Sequence, residues 1–221
     1  MLHPQWQVRK WGLDDLPKSK YLNKSVALQK YANASNWARL WVLEKYGGVY
    51  LDTDIEIVRP LDDLLQFPSF VGFEVNHFDW EGCINNAVFG SIKNHWFVTE
   101  MRQQLEEEFD GSEDAHLSSP HLTTRVLKRH GLVKYGRTSL KGVEIFPIEY
   151  FYPFGWHETF RVQRVTPQTR TIHWYGRSWL THSEERKNFK SQAVEYLHKI
   201  LWEKYLRKKM QNESQLSSLR A

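Results

Sequence analysis

Two carboxylates separated by one residue, Asp52 and Asp54, close the run Val49-Tyr50-Leu51-Asp52-Thr53-Asp54. A short apolar run ended by acidic residues reads as a buried strand that comes out to the surface. Strand side chains alternate, so residues two apart emerge on the same side. Paired carboxylates suit a hard divalent cation such as Mg²⁺ or Mn²⁺, which takes oxygen ligands and shares its coordination with substrate phosphates. Taken alone, the pair equally describes a solvated strand terminus. A calcium-loop reading of Asp52 to Glu56 fails at the sixth position, where Ile57 stands in place of the glycine that the sharp turn needs. A phosphatase-type reading, with Asp52 as nucleophile and Asp54 as general acid/base, leaves the sequence just before the strand without a purpose.

That preceding sequence has the form of a positioning device. Ala34, Ala38, Trp41 and Val42 recur at helical spacing, and Gly47-Gly48 offers the left-handed residue that ends a helix. A helix is thus turned back into the strand that carries the carboxylates. Asn36 and Arg39, three residues apart, share one face of it. Arg39 could neutralise a phosphate or carboxylate of a ligand. The structural alternative is an ion pair with Glu44 or Asp52.

Beyond this unit, strands and helices alternate, which predicts an α/β domain. Strands are expected at 55–58, 70–74, 87–90, 143–146 and 170–174, with a helical turn at 61–65. Helices are expected at 23–31 and at 94–109, the latter capped by Asn94 with Phe97, Met101 and Leu105 in register. Ser119-Pro120 should open another that Gly131 closes. Residues 111–114 read as a solvated loop.

The chain has 221 residues, which suits one domain with a sizeable core. Its ten Trp, ten Tyr and twelve Phe either fill that core or stack on flat ligands such as sugars. A formal charge of +4 and a pI near 9.0 would suit an anionic ligand or a membrane surface, but much of the excess sits near the C-terminus. The basic residues form no stripe elsewhere, so nucleic acid is not an expected partner. The single cysteine, Cys83, excludes an intrachain disulfide and agrees with a reducing compartment. The N-terminus lacks an apolar core of signal-peptide type, and no stretch approaches the roughly 20 apolar residues of a membrane span. The expected location is cytoplasmic, at or near the inner face of the membrane.

Contact with that membrane would come from the end of the chain. From Ser183 to about Met210 the spacing predicts one helix, with Val194, Leu197, Leu201 and Tyr205 on one face. Lys199, Lys204, Arg207, Lys208 and Lys209 crowd the rest. A basic amphipathic helix docks on its own domain or lies on an anionic membrane surface. The expected division is therefore a domain over 1–182 and a helix with a frayed tail over 183–221.

The run S-N-W-A-R-L-W-V-L-E-K-Y-G-G-V-Y-L-D-T-D resembles the signature of the DXD-containing sugar transferases of glycosyltransferase family 32, which include capsule enzymes and initiating mannosyltransferases. The likeness continues through I-E-I-V-R-P-L-D-D-L-L, F-V-G-F-E and I-N-N-A-V-F-G-S, then S-P-H-L-T-T-R-V-L and I-H-W-Y-G-R-S-W. The order holds from about residue 4 to residue 180.

This resemblance implies a GT-A-like fold, a nucleotide-sugar donor, a glycan or lipid-linked acceptor and a divalent cation, Mn²⁺ or Mg²⁺. It implies that Asp54 and Asp52 hold the metal and that His173 is the last metal or diphosphate contact. Arg39 and Asn36 would contact the donor sugar and Tyr50 would line the pocket. Asn85 and Asn86 would touch acceptor or sugar, and Ser178 and Trp179 would sit on a flap over the donor. Without the resemblance, His173 reads as a core histidine at a strand end. Members of the family retain anomeric configuration, so no dedicated carboxylate base is required.

Two departures from the family pattern stand out. Ser35-Asn36 replaces the usual Ser-Asp before the arginine, exchanging a charge for an amide that can still hydrogen-bond a hydroxyl. The chain also starts after the family's opening apolar strand, which builds the nucleotide-base pocket, so the domain is expected to be N-terminally incomplete. The opposing class is a non-catalytic glycan-binding or scaffold relic of the same fold.

Overall fold

The computed structural model describes residues 2–75, 83–156 and 158–175. Two helices come first, α1 (Lys20–Ala27) and α2 (Tyr31–Tyr46). Ser19 caps α1 by accepting from the Leu22 amide at 3.4 Å. The polar helix expected at 23–31 is thus shifted toward the N-terminus. Gln29 at φ 58 breaks the path before α2 begins, a left-handed turn that hydropathy does not reveal. α2 buries Trp37, Leu40 and Leu43 together with Asn33, Asn36 and Arg39.

Gly47 ends α2 at φ 69, and a Cβ there would stand 2.8 Å from the Lys93 amide. Only glycine allows both the left-handed turn and that close approach. β1 (Gly48–Leu51) follows at once and pairs with β4 (Ile84–Ser91). The main sheet runs β1-β4-β3-β6-β5, with β3 (Ser69–Phe73), β5 (Thr138–Leu140) and β6 (Val143–Phe146). Its pairings are antiparallel except β3 with β6. A separate antiparallel ribbon joins β2 (Ile55–Ile57) to β7 (Thr171–His173), with Ile55 opposite His173.

Helices α3 (Trp96–Glu108) and α4 (Leu122–Arg129) cover one face of the sheet with α2, burying Val71, Phe73, Ile84, Phe89, Val143 and Ile145. On the other face the one-turn helix α5 (Ile148–Phe151) packs Phe151 and Tyr152 against Phe70, Val88 and Phe146. A Cβ on Gly72 would meet the Phe151 ring at 2.5 Å, so the missing side chain lets α5 lie directly on β3. A third cluster, Phe154, Phe160, Ile172 and Tyr175, lies behind β7. This is the expected α/β arrangement of a mixed sheet covered by helices.

Three local expectations differ. His95, not Asn94, caps α3: its Nδ1 accepts from the Phe97 amide at 3.4 Å, while Asn94 sits in a left-handed turn at φ 57. Ser119-Pro120 does not cap α4, because a single π-type turn, Leu117–His121, runs straight into it with Pro120 inside. Residues 111–114 form the expected loop with Ser112 and Asp114 exposed, but it is docked at Gly111 and Glu113. Gly111 is buried, the Tyr21 hydroxyl donates to Glu113, and the Asn33 amide donates to the Glu113 carbonyl at 2.9 Å. The expected strands and the 61–65 turn are present, the turn as a 3₁₀ helix over Asp62–Gln66. Ser178, Trp179 and the 183–221 helix lie outside the described residues.

Candidate active site

Asp52 lies one residue past the end of β1, and its amide donates to the Ala87 carbonyl at 2.9 Å. The chain then turns, with the Ile55 amide donating to the Asp52 carbonyl at 3.1 Å. Asp52 and Asp54 therefore converge through a tight turn between β1 and β2, not through alternation along one strand. β7, paired with β2, adds His173 from far along the chain. Asp52, Asp54 and His173 each present one ligand atom within 4.8 Å of the other two. His173 Nε2 is 3.2 Å from Asp54 Oδ1.

Arg39 reaches this cluster from α2. Its Nη2 donates to Asp52 Oδ1 at 2.8 Å, and the Tyr50 hydroxyl donates to the same oxygen at 2.7 Å. The guanidinium also lies 4.5 Å from the Tyr50 ring centroid, a cation–π contact. Its Nη1 donates to Asn86 Oδ1 and, at 3.1 Å, to Ser119 Oγ. Asn86 is held in turn by Ser119 Oγ at 2.6 Å and donates to Thr123 Oγ1 at 2.9 Å. The β3–β4 register shifts between Phe70 and Gly72. That irregularity lies where Asn86 turns toward α2, as bulges beside sites often re-aim a side chain.

Burial opposes the charge of Arg39, but the Asp52 carboxylate and Tyr50 oxygen beside it hold the guanidinium above its ordinary value. Burial pushes the Tyr50 hydroxyl up to about 12; Arg39 pulls it down and Asp52 adds to the rise. Burial likewise raises the Tyr152 and Tyr175 hydroxyls, so both stay protonated donors. Tyr152 lies beside the site, with its hydroxyl 2.9 Å from the Val88 amide that donates to it.

The residues present fit a divalent cation. Two carboxylates and an imidazole converge, with His173 Nε2 on the side of Asp54. The carboxylates suit a hard divalent cation that takes oxygen ligands, and the imidazole adds one nitrogen ligand.

Residues 1–71 match a family described as glycosyltransferase sugar-binding region containing DXD motif. Residues 90–211, more than half of the chain, match the alpha 1,4-glycosyltransferase conserved region. The chain belongs to the alpha 1,4-glycosyltransferase family. It is 29% identical over 205 residues to the lactosylceramide 4-alpha-galactosyltransferase of Rattus norvegicus, covering 82% of this chain and 53% of that protein. It is 24% identical over 160 residues to the alpha-1,4-N-acetylglucosaminyltransferase of Homo sapiens, covering 69% of this chain and 44% of the relative. The chain spans about half the length of these curated relatives. Among solved structures, a PaToxG glycosyltransferase gives a partial likeness, with a TM-score of 0.41 and 24% identity over 49% of this chain and 39% of that one. These findings point to alpha-1,4-glycosyltransferases, and not specifically to the capsule enzymes or initiating mannosyltransferases that the sequence resemblance places beside them.

Within the candidate site, Asp52, Asp54, His173, Arg39, Tyr50 and Asn86 come together. Of the two structural pairings open to Arg39, Asp52 is the one formed; Glu44 pairs with Arg102 instead. Asn36 is turned into the fold. Its Nδ2 donates to the Ala115 carbonyl at 2.9 Å and to Ser118 Oγ at 3.2 Å, and the residue is 5% exposed. Asn85 is half-buried at the β4 edge of the site, and its Oδ1 accepts from the Ala87 amide at 2.7 Å. Sequence reasoning missed Ser119 and Thr123, which it treated only as part of a helix start, and Tyr152 and Tyr175, which looked like ordinary aromatics. No helix among the described residues is long and apolar enough to cross a membrane.

Proposed function

We propose that the protein transfers a sugar from a nucleotide-sugar donor to a hydroxyl of a glycan or glycolipid acceptor, forming an α-1,4 link with retention of configuration. The observation that carries this reading is the convergence of Asp52, Asp54 and His173, with Arg39 buried behind them. These three side chains would hold Mn²⁺ or Mg²⁺. When bound, the cation would neutralise charge on the diphosphate as the glycosidic bond breaks. Arg39 supports Asp52 from behind: both of its terminal nitrogens are engaged within the protein, so it acts as a positioning residue. Tyr50 shares that task through its hydrogen bond to the same carboxylate oxygen.

Retention follows if the acceptor oxygen attacks the anomeric carbon on the face from which the diphosphate departs. One carbon–oxygen bond breaks, another forms, and the acceptor proton passes to a diphosphate oxygen. No protein base is needed for that step. The names of the relatives supply the acceptor class, a glycolipid or glycan. Peripheral membrane contact through 183–221 belongs to the same proposal.

The test is binding and hydrolysis of a panel of UDP- and GDP-sugars with and without Mn²⁺. The expected result is metal-dependent binding of one donor that Asp54→Ala abolishes. Absence of metal dependence, or binding indifferent to that substitution, overturns the reading.

A further inference from the structure

We propose that Tyr175 is a positioning residue that fixes the orientation of the His173 imidazole by ring stacking. A ligating histidine usually donates its second ring nitrogen to a carboxylate, carbonyl or water, which sets both tautomer and ring angle. His173 has no such partner: Nδ1 is buried and makes no hydrogen bond. Apart from the Asp54 carboxylate 3.2 Å from Nε2, what touches the ring is aromatic. Tyr175 lies with its centroid 4.0 Å from the imidazole at 30°, and Tyr152 stands at 5.9 Å and 56°. A ring held through one nitrogen alone can still pivot about its terminal bond, where the energy well is broad. Packing of the ring face then constrains its angle beyond what the Asp54 contact at Nε2 does.

Tyr175 is itself held from several sides. Its hydroxyl donates to the Phe154 carbonyl at 3.2 Å, with the buried Glu74 carboxylate as a second partner. Its ring stands edge-on to Phe154 at 5.6 Å. Its backbone is left-handed, φ 48, which a tyrosine adopts only when the surroundings impose it. That strained turn, two residues past His173, folds the ring back over the imidazole. A regular continuation of β7 would set residue 175 on the same face as His173 but about 7 Å along the strand, not folded back over the ring. Glu74 and Phe154 therefore anchor Tyr175, and Tyr175 clamps His173.

This inference rests on His173 being a ligand only for its effect on metal affinity. Its effect on ring orientation can be read without metal. The comparison uses the full chain, Tyr175→Asn, Tyr175→Phe and His173→Ala, with thermal unfolding to confirm that each variant folds. Asparagine tolerates the left-handed backbone and removes the ring; phenylalanine keeps the ring and removes the hydroxyl. In metal-free protein, the His173 ring protons should show one fixed set of NOEs to Tyr152 in the parent and in Tyr175→Phe. These should be averaged or lost in Tyr175→Asn. With Mn²⁺ alone, free-ion EPR should show affinity weakened about 10-fold or more in Tyr175→Asn, the range for removing a support behind a ligand, and nearly unchanged in Tyr175→Phe. Should Tyr175→Asn fail to fold, Tyr175→Leu is read the same way. Unaltered NOEs and unaltered Mn²⁺ affinity in a ring-less variant overturn the clamp. Equal Mn²⁺ binding by His173→Ala and the parent would overturn the ligand role of His173 instead, while the NOE comparison still decides the clamp.

Discussion

Asp52 and Asp54 have nearly equal side-chain exposure, 26% and 29%, but the regions behind them are built differently. Behind Asp52 lies Arg39, almost fully buried, bonded across α2, β4 and the π-type turn through Asn86 and Ser119. Behind Asp54 lies His173 on a two-stranded ribbon, walled by tyrosine rings and keeping an unpartnered nitrogen. A charge in the first region is compensated only by its neighbours, so altering it is a change in folding. On the proposed function the second region's carboxylate and imidazole serve a ligand, so altering them should register in ligand binding. One Asp-x-Asp motif thus combines a carboxylate paired with a buried guanidinium and one paired with a histidine on a separate ribbon.

Asp52→Ala should produce the largest combined effect. It strands the buried Arg39 guanidinium, and breaking such a pair costs about 3–5 kcal/mol; the partial exposure of Asp52 argues for the lower end. Urea unfolding measures this, and transfer activity should vanish with it. Asp54→Ala should leave stability within about 1 kcal/mol, as expected for a partly exposed pair. Its cost should fall on metal-dependent donor binding and so on kcat/KM, by at least about 10²–10³-fold, the scale of losing one group that stabilises a developing charge. Equal destabilisation by the two substitutions would break the contrast between the regions.

A finer cut separates direct from shared partners. Asn86→Ala should cost about 1–3 kcal/mol, because a buried donor on Arg39 loses its acceptor. Combined with Asp52→Ala it should be non-additive, coupled by about 0.5–3 kcal/mol through the common guanidinium. Combined with Asp54→Ala it should add simply. A double-mutant cycle by denaturant unfolding reads both pairs, and coupling of Asn86 to Asp54 would merge the two regions into one.

Much of this architecture was legible because it is local. The helix 31–46, its glycine stop and the strand 48–51 follow from periodicity and from the backbone freedom of Gly47, which no tertiary contact overrides. The pairing of Arg39 with Asp52 was open from the outset as one of two alternatives. What could not be read was long-range or irregular. The register shift that accompanies the turn of Asn86 toward α2 has no pattern in I-N-N-A-V-F-G-S. The π-type turn looks in sequence like a proline-capped helix start. Asp52 and Asp54 appeared to share a strand because alternation is the only short-range rule for residues two apart, and the turn at Thr53 carries neither glycine nor proline to announce itself. The stacking of Tyr175 on His173 depends on a left-handed tyrosine, which sequence alone gives no reason to expect.

The smallest effect sharpens the comparison by pH. Tyr50 belongs to the scaffold region, and its hydroxyl, ordinarily near 10.0, is pushed up to about 12 by burial and by the carboxylate it donates to. The folded protein therefore holds this proton more tightly than the unfolded chain does. The contribution is fully present below the unfolded value of about 10 and is lost as pH rises from there through about 12. Tyr50→Phe should remove the hydrogen bond, at about 1 kcal/mol near neutrality. It should also flatten the decline of stability between those two pH values relative to the parent. Tyr152 and Tyr175 are raised as well, so the difference between parent and variant carries the information, not the absolute slope. Unfolding midpoints at a series of alkaline pH values measure it, with the parent-minus-variant ultraviolet titration locating the phenol. An unchanged slope in Tyr50→Phe would mean that the proton does not hold the Asp52 side of the motif in place, leaving Arg39 as its support from behind.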